Sequence, residues 1–413
     1  MEHQVSPVSL PGCKSLTQRA LLLAATAEGE TRLIGCNQGD DSESLKECLI
    51  ALGVEICEEG DALLVNGLAG PLIADGVRLD VREGASTFRF LVAQVAAGGG
   101  EAIFSGSPRL MERPHEGLLD CLRAKGATIE FEYEKGEKVL KVISPGIKGG
   151  DISLEDSSSS QYLSSLLLVP WQSKALIRAA ALDASRGYVD LTLEAVARFR
   201  GVGSVVPLAE DWCVQPGVGE GSVWDLPGDA SAATFFLAGL LVNGGDLVYS
   251  APPDPLHPES RLARDLVGMG FLAVTEDVIC APESFPEKRL ELNLDYCPDA
   301  GPALAVACAF LPSGGRLTGL HRLKDKESDR LRGMQNLVAA VGGKTAFEGE
   351  ALVIAGSISS SIAESLDTAG DHRMAMAGGV AQLRFPNLEI KTPECVTKSF
   401  PEFWSTFKKW RNG

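Results

Sequence analysis

The chain has 413 residues, which is more than one hydrophobic core usually supports, so we expect two domains. Apolar residues make up 45% and charged residues 23%, as in ordinary globular proteins, and the net charge of −17 argues against a general nucleic-acid or anionic-membrane surface. The first residues lack a signal-peptide pattern and no apolar run approaches bilayer-spanning length, so we expect a cytoplasmic protein without a membrane partner.

The first informative stretch covers residues 11–19, where a tight turn leads into an apolar helix. Ser15 and Thr17 are predicted N-caps of this helix. Lys14 and Arg19 place two cations beside its free backbone N–H groups, which is a favourable place for an anion. The stretch is similar to a nucleotide-binding P-loop, but Cys13 stands where that loop needs glycine. The sequence therefore predicts an anion site of another kind.

Polar helix starts followed by an apolar helix, a turn and a strand recur along the whole chain. The copies begin at residues 19, 89, 161, 234, 302 and 373, about 70 residues apart each time. A second helix, closed by a C′ glycine, recurs with the same period and ends at Gly53, Gly126, Gly201, Gly270 and Gly342. Helix–glycine–strand patterns are common, but two signatures in phase are hard to obtain by chance. Six units are therefore expected, each with a strand, a helix, a strand, a helix and a strand pair.

Cationic clusters occupy equivalent positions in these units. Arg109 and Arg113 follow one repeat strand, Lys326 and Arg330 follow another, and Lys398 lies in a further polar segment. Mixed charges usually mark a solvated helix face, but two strand-to-helix junctions at corresponding places favour a site. If the helix starts converge, their partial positive charges would attract an anionic substrate.

The ten cysteines are scattered, without a Cys-x-x-Cys pair. Cys48, Cys121 and Cys308 lie inside apolar patterns, where cysteine packs as a small hydrophobic residue. Reduced thiols are therefore expected.

Eight short motifs carry a resemblance to a known family. They are Pro-Gly-x-Lys-Ser-x-x-x-Arg at 11–19, Pro-Arg-x-x-x-Arg-Pro at 108–114, Ser-Ser-Gln at 159–161, Gly-Asp-Ala-Ser at 228–231, Pro-Asp-Ala at 298–300, Lys-Glu-Ser-Asp-Arg at 326–330, Asp-His-Arg-Met-Ala at 371–375 and Thr-Lys-Ser-Phe-Pro at 397–401. Each motif is weak alone, but their order over nearly the whole chain is specific. On these motifs the chain resembles the 5-enolpyruvylshikimate-3-phosphate synthase family.

The resemblance implies an α/β fold (α+β by some schemes) of two similar domains, each with three βαβαββ-type units, and an active site in the inter-domain cleft. The first domain would cover residues 12–227 and the second residues 1–11 and 228–413. The implied reaction moves the enolpyruvyl group of phosphoenolpyruvate to the 5-hydroxyl of shikimate 3-phosphate, by addition and elimination through a tetrahedral intermediate, in chorismate biosynthesis. It implies these two small molecules as partners, no cofactor, no metal and no nucleic acid, and we expect a monomer.

The resemblance also assigns residues, mostly the cationic and hydroxyl groups that suit phosphate and carboxylate ligands. Shikimate 3-phosphate would be held by Lys14, Ser15, Arg19, Ser159, Ser160, Gln161, Ser185, Tyr188, Asp299 and Lys326. Phosphoenolpyruvate would be held by Lys14, Ala85, Arg113, Gln161, Arg330, Arg373 and Lys398. Asp299 is the candidate base for the hydroxyl and Glu327 the candidate proton donor to the methylene, while Lys14 assists proton transfer.

Each candidate also has a simpler interpretation. Taken alone, Asp299 fits helix capping and Glu327 fits an ion pair with Lys326 or Arg330. His372 is expected to be structural.

The chain departs from the family pattern in two places. Cys13 replaces the usual serine of the opening loop, and little effect is expected. At the second helix start, Asn-x-Gly-Thr is replaced by Glu83, Gly84, Ala85 and Ser86. The Ala85 methyl is expected to crowd the phosphoenolpyruvate pocket, weaken binding of that substrate and reduce sensitivity to glyphosate, which occupies the same pocket in the family. The alternative is a one-residue shift that puts Gly84 in the place of the glycine.

Two other functions compete with this interpretation. A transferase acting on UDP-N-acetylglucosamine has the same fold and donor, but it carries a loop cysteine where this chain has Pro108, and it lacks the motifs at 159–161 and 326–330. A catalytically silent repeat protein that binds an anion would be favoured by loss of Lys14, Asp299 or Glu327, and all three are present.

Overall fold

The structure is a computed structural model that describes residues 6–156, 158–179, 186–209, 211–356, 358 and 363–412. The chain divides into two units. The first unit is Gly12–Leu226, and the second unit combines Met1–Pro11 with Pro227–Gly413. Within the described residues, no helix is both long enough and apolar enough to cross a membrane.

The first unit alternates helices and strands. Its helices are α1 (Lys14–Thr26), α2 (Asp40–Ala51), α3 (Ala85–Gly98), α4 (Pro108–Met111), α5 (Glu116–Arg123), α6 (Ser160–Leu168) and α7 (Arg186–Arg200). Its strands are β1 (Glu28–Ile34), β2 (Glu55–Glu59), β3 (Ala62–Leu68), β4 (Ala74–Asp80), β5 (Gly100–Ser105), β6 (Thr128–Glu134), β7 (Glu137–Ser144), β8 (Gly150–Leu154), β9 (Ala175–Ala179), β10 (Val205–Leu208), β11 (Asp211–Val214) and β12 (Val223–Asp225).

The strands of the first unit form three four-stranded sheets of one topology. In the orders β4-β5-β7-β6 and β8-β9-β11-β10, the first two strands are parallel and the last two form an antiparallel hairpin. A helix crosses between the parallel strands, as such a pairing requires. The remaining sheet has the order β12-β1-β3-β2, so its first position is filled by the last strand of the unit.

The second unit repeats this plan with shorter strands. Its helices are α8 (Ala230–Asn243), α9 (Arg261–Gly268), α10 (Gly301–Phe310), α11 (Arg330–Ala340), α12 (His372–Gln382) and α13 (Phe403–Asn412), with 3-10 helices at Pro258–Ser260, Pro298–Ala300, His321–Asp325 and Pro393–Lys398. Its strands are β13 (Asp246–Leu247), β14 (Ala273–Thr275), β15 (Val278–Cys280), β16 (Leu290–Asn293), β17 (Gly315–Thr318), β18 (Thr345–Glu348), β19 (Ala351–Ile354), β20 (Ser365–Leu366) and β21 (Glu389–Ile390).

The sheets of the second unit show where the plan is kept and where it changes. The order β16-β17-β19-β18 has the topology of the first unit. Beside β13-β15-β14, Val8 bridges Tyr249 in parallel, so the N-terminal segment stands at the first-strand position. In the last repeat, β20 and β21 are the two strands that pair among the described residues, and α13 follows them.

The first helix of every repeat is buried on nearly all sides. Helices α1, α3 and α6 pack on one another inside the first core, and α8, α10 and α12 do so inside the second. A helix buried all round needs no polar face, which explains the uniformly apolar runs in the sequence. The α/β class predicted from the sequence is confirmed.

The cap predictions have mixed outcomes. Gly53, Gly126, Gly201, Gly270 and Gly342 all adopt positive φ, between 78° and 100°, so the predicted helix-ending glycines are confirmed. The predicted N-caps Ser15 and Thr17 are wrong, because α1 begins at Lys14 after Cys13. The Thr17 hydroxyl instead accepts a hydrogen bond from the Asn37 backbone N–H at 2.9 Å.

Candidate active site

The starts of α1, α3 and α6 meet at one end of the first unit. Gln18 on α1 donates to Thr87 Oγ1 on α3 at 3.1 Å. Gln161 at the start of α6 donates to Ser86 Oγ on α3 at 3.1 Å. The positive ends of three buried helix dipoles are thereby gathered together, which favours an anionic ligand.

Lys14, the first residue of α1, lies at this end. Its Nζ is 2.8 Å from Asp41 Oδ2, and the two side chains are 17% and 7% exposed. The Asp41 main-chain carbonyl accepts from Thr87 Oγ1 at 3.0 Å, so the residue that pairs with Lys14 is anchored to α3 through its main chain. The lysine is therefore oriented and still reaches solvent.

Arg19 is buried, although a residue that binds a substrate is expected to be exposed. Its side chain is 3% exposed, and it donates to Thr192 Oγ1 at 2.8 Å, to the Ser15 carbonyl at 2.8 Å and to the Tyr188 carbonyl at 3.1 Å. Burial lowers the pKa of its guanidinium to about 10, which still leaves it charged at neutral pH. Arg19 thus holds the main chain of two other predicted site residues.

The start of α6 carries the serine and glutamine candidates. Ser159 Oγ accepts from the Gln161 backbone N–H at 3.3 Å as the N-cap, and Ser160 is the first helical residue. Ala85 is the first residue of α3 and is 7% exposed. Ser185 lies outside the described residues.

The sequence interpretation missed Arg89, which is 4% exposed on α3. It donates to Gln161 Oε1 at 2.6 Å and to the Pro114 carbonyl, next to Arg113, also at 2.6 Å. A signal was present, since the repeat register aligns residue 89 with Arg19 and Arg373.

In the second unit, one buried arginine collects three carboxylates. Arg330 is 1% exposed and donates to Asp299 at 2.8 Å, to Glu327 at 2.7 Å and to Asp371 at 2.7 Å. Asp371 also caps α12, because its Oδ1 accepts from the Arg373 backbone N–H at 2.9 Å. The carboxylates raise the pKa of Arg330 above its usual value, although burial opposes them.

Further cations surround the same carboxylates. Asp299 lies 3.1 Å from Lys326 Nζ and 3.6 Å from an Arg373 nitrogen, and Glu327 lies 3.7 Å from Lys398 Nζ. Burial alone would raise the pKa of Asp299, but Lys326, Arg373 and Arg330 outweigh it and hold this pKa well below its usual range. The structure therefore brings all six predicted residues of the second unit into one ion cluster.

The simpler interpretations have different outcomes. Asp299 does not cap α10, since that helix begins at Gly301 after Ala300 and without a side-chain cap bond. The ion pair expected for Glu327 is present with Arg330. His372 is 1% exposed, with Nδ1 3.7 Å from Asp371 Oδ1.

Metal-ligating residues do not cluster in the part of the chain that the structure describes, where no group of three His, Cys, Asp or Glu side chains could hold a metal ion. The ten cysteines are free. Cys48, Cys121 and Cys308 are buried in the two cores, so the expectation that they pack as hydrophobic residues is confirmed. Burial raises the pKa of their thiols to about 12.

Comparison with known proteins gives a consistent result. A family model described as EPSP synthase (3-phosphoshikimate 1-carboxyvinyltransferase) matches residues 2–407. A 3-phosphoshikimate 1-carboxyvinyltransferase from Shewanella amazonensis is 32% identical over 410 residues, which cover 97% of this chain and 95% of that protein. The enzyme of the same name from Shewanella loihica is 31% identical over 412 residues, with 97% and 95% covered.

Solved structures show the same fold. An EPSP synthase from Acinetobacter baumannii superposes with a TM-score of 0.77 at 24% identity, covering 98% of this chain and 95% of that one. The enolpyruvyl transferase NikO from Streptomyces tendae superposes with a TM-score of 0.74 at 15% identity, covering 98% and 94%.

Proposed function

The chain belongs to the EPSP synthase family, and we propose that it transfers the enolpyruvyl group of phosphoenolpyruvate to the 5-hydroxyl of shikimate 3-phosphate, with release of phosphate. The observation that carries the proposal is the ion cluster in which Arg330 binds Asp299 and Glu327. Two carboxylates with different cationic neighbours can divide the two proton transfers that the reaction needs. The alternative transferase acting on UDP-N-acetylglucosamine is not favoured by the family match.

In the proposed mechanism, Arg330 exchanges part of its pairing with the protein carboxylates for pairing with the bound substrate. Asp299 is ionised but is a weak base while Lys326, Arg330 and Arg373 touch it. Phosphoenolpyruvate that binds Arg330 and Arg373 would take up part of their positive charge and raise the proton affinity of Asp299. Substrate binding would therefore activate the base.

The proposed chemistry then has two balanced steps. In the addition, Asp299 accepts the proton of the 5-hydroxyl as its oxygen attacks C2. Glu327, protonated once phosphoenolpyruvate has taken up positive charge from Arg330 and Lys398, gives a proton to C3, which becomes a methyl group. In the elimination, Glu327 takes a methyl proton back as the C–O bond to phosphate breaks, and Lys14 donates a proton to the leaving phosphate. The proton on Asp299 then returns to Lys14 through solvent, which restores both groups for the next turnover. Each carboxyl group thus serves a proton transfer that the geometry of the ion cluster can support.

Recognition of shikimate 3-phosphate is assigned to the first unit, with Asp299 and Lys326 added from the second. Lys14, Ser15 and the serines at the start of α6 offer a cation, hydroxyl groups and free helix N–H groups to the phosphate. Tyr188 and Ser185 complete the proposed set, and Arg113 and Lys398 join the phosphoenolpyruvate residues. We assign the active form to a cytoplasmic monomer, because the proposed residues come from one chain and the cysteines are free.

The test measures phosphate release from phosphoenolpyruvate with shikimate 3-phosphate or with UDP-N-acetylglucosamine as acceptor. Release only with shikimate 3-phosphate is expected. Release only with UDP-N-acetylglucosamine would establish the alternative transferase, and binding of shikimate 3-phosphate without turnover would indicate a silent anion-binding protein.

Lys14→Met should lower turnover by about 1,000-fold or more while the fold persists, because it removes a cation that the proposed chemistry uses. Lys46→Met is the matched control, since Lys46 is half-buried like Lys14 and pairs with Glu43 and Glu58, none of which is a proposed site residue. If Lys14→Met unfolds, as judged by circular dichroism, Lys14 is structural.

A further inference from the structure

The Arg89 guanidinium determines how the Gln161 side chain is turned. Arginine has only donors, so the oxygen of the Gln161 amide must face Arg89, at 2.6 Å. The amide nitrogen then donates to Ser86 Oγ at 3.1 Å. The amide is held from both sides, and its orientation depends on Arg89.

The same guanidinium fixes the main chain next to Arg113. The Pro114 carbonyl accepts from Arg89 at 2.6 Å and from the Tyr162 hydroxyl at 2.7 Å. The guanidinium carbon also lies 5.1 Å from the centre of the Tyr162 ring, within the range of a cation–π contact. Two segments far apart in sequence are therefore joined by one planar cation, whose rigid fork can serve both at once.

His115 is a further group that the Arg89 side chain contacts. Its Nδ1 lies 3.3 Å from Arg89 Nε and accepts from it, and its Nε2 donates to the Leu110 carbonyl at 2.8 Å. This pattern requires a neutral ring with the proton on Nε2. The ring is 2% exposed, and Arg113 and Lys138 are the other cations whose charge acts on it. His115 thus holds Arg89 in one orientation.

We propose that Arg89 is a positioning residue that sets the Gln161 amide and the Arg113 loop together, so that contacts to both substrates are aligned in one step. This inference rests on the proposed function, in which Gln161 touches both substrates and Arg113 touches phosphoenolpyruvate. Arg89 itself acts through these two residues.

A double-mutant cycle tests the proposal. Arg89→Lys keeps the charge but loses the fork, and kcat/KM for phosphoenolpyruvate should fall by about 10- to 100-fold, as for other residues that orient a ligand-binding group. Gln161→Ala should cause a loss of similar size. The loss in the double variant should be smaller than the product of the two single losses, because Arg89 acts partly through Gln161. It should still exceed the loss of Gln161→Ala alone, because Arg89 also holds the Arg113 loop.

Arg200→Lys is the matched control. Arg200 is a half-buried arginine of the first unit, and it donates to the Leu168 and Val169 carbonyls at 2.6 and 2.9 Å. Its effect should multiply with that of Gln161→Ala. Effects of Arg89→Lys that also multiply with those of Gln161→Ala would overturn the proposal, because Arg89 would then act on the fold alone.

If Arg89→Lys does not fold, His115→Gln takes its place in the same cycle. It leaves Arg89 present but disturbs its orientation, so a loss of about tenfold or less is expected, and this loss should become smaller in the Gln161→Ala background. Independent effects would count against the positioning role. Absence of turnover in the unmodified protein would refute the proposed function, whereas turnover with an independent cycle would refute only this inference.

Discussion

At the scale of single residues, the buried arginines differ by what they hold. Arg19 donates mainly to carbonyl and hydroxyl groups, Arg89 to an amide, a carbonyl and a histidine, and Arg330 to three carboxylates. The first two stabilise the main chain and side chains around them. Arg330 instead neutralises three carboxylates, and a bound anion could take the place of one of them. The proposed chemistry is therefore assigned to the cluster around Arg330.

Ala85→Gly tests whether the methyl group crowds a ligand. Ala85 begins α3, and a side chain at the preceding Gly84 would meet Thr87 Oγ1 at 2.8 Å, so glycine at 84 serves the local turn. Removing the Ala85 methyl should lower KM for phosphoenolpyruvate and strengthen glyphosate inhibition by about tenfold, the usual effect of one methyl group in a pocket. Steady-state kinetics and inhibition curves would measure both.

The control for this substitution is Ala97→Gly, which removes a buried methyl group near the other end of α3. It should weaken the helix without changing KM. Unchanged KM and inhibition in Ala85→Gly would refute the crowding hypothesis and favour the shifted alignment at Gly84.

His115 makes the stability of the first unit depend on acid. Burial, followed by the charge of Arg89, lowers the pKa of its ring to about 3. The unfolded ring titrates near pH 6.5, so between about pH 6.5 and about pH 3 the unfolded chain binds a proton that the folded chain does not. The free energy of unfolding should therefore decrease as the pH is lowered through this range, by up to about 1.4 kcal/mol per pH unit from this group.

The measurement compares urea unfolding of the protein and of His115→Gln from about pH 7 down to about pH 5. The free energy of unfolding of the variant should decrease less steeply with falling pH, by up to about 1.4 kcal/mol per pH unit. The exposed His321 supplies the control, and His321→Gln should follow the unmodified protein. Parallel curves for His115→Gln and the unmodified protein would contradict the prediction.

At the scale of elements, the sequence predicted correctly those helix ends that depend on main-chain conformation alone. The helix-ending glycines were predictable because positive φ is costly for other residues, whatever surrounds them. The start of α1 was not, because the Thr17 hydroxyl bonds to the distant Asn37 backbone. The catalytic roles of Asp299 and Glu327 were assigned only through family resemblance. The Glu327–Arg330 pair followed from nearness in sequence, but the contacts of Arg330 with Asp299 and Asp371 did not, since spacing cannot show which distant charges meet after folding.

The end of α9 allows a matched test of the glycine rule. Gly270 has a φ of 78°, and an added Cβ there would lie 3.7 Å from its nearest neighbour, Pro286. Gly268 is the last residue of α9, and an added Cβ would meet nothing within 4 Å. Gly270→Ala should destabilise the protein by about 1 kcal/mol through strain, and Gly268→Ala should stabilise it by about 0.5 kcal/mol through helix propensity. Urea unfolding would measure both, and shifts in the same direction would contradict the strain argument.

At the scale of the whole molecule, the repeats are closed by strands from elsewhere in the chain. β12 completes the first sheet of the first unit, and Val8 stands beside Tyr249 in the second unit. The repeat pattern predicted six similar units, but it could not show which strand fills the first position of two of them. That choice depends on pairing between segments far apart in sequence, which a local pattern does not record.

The unit division predicts which fragments fold. Among the described residues, those of the first core lie between Cys13 and Leu226, so a fragment of residues 12–226 should unfold cooperatively in urea. The second core includes Val8 and Leu10, and the Val8 N–H donates to the Val248 carbonyl at 2.7 Å. A fragment of residues 227–413 should therefore be less stable than one that also carries residues 1–11.

Joining residues 1–11 to 227–413 by a short glycine linker is feasible, because the Asp229 N–H donates to the Pro11 carbonyl at 2.9 Å. The joined chain should be more stable than residues 227–413 alone by about 3–6 kcal/mol, the free energy of burying two aliphatic side chains. Replacing Val8 and Leu10 by alanine in the joined chain should remove most of this gain. Equal urea midpoints with and without residues 1–11 would show that the N-terminal segment contributes little, because the second core would then be complete without it.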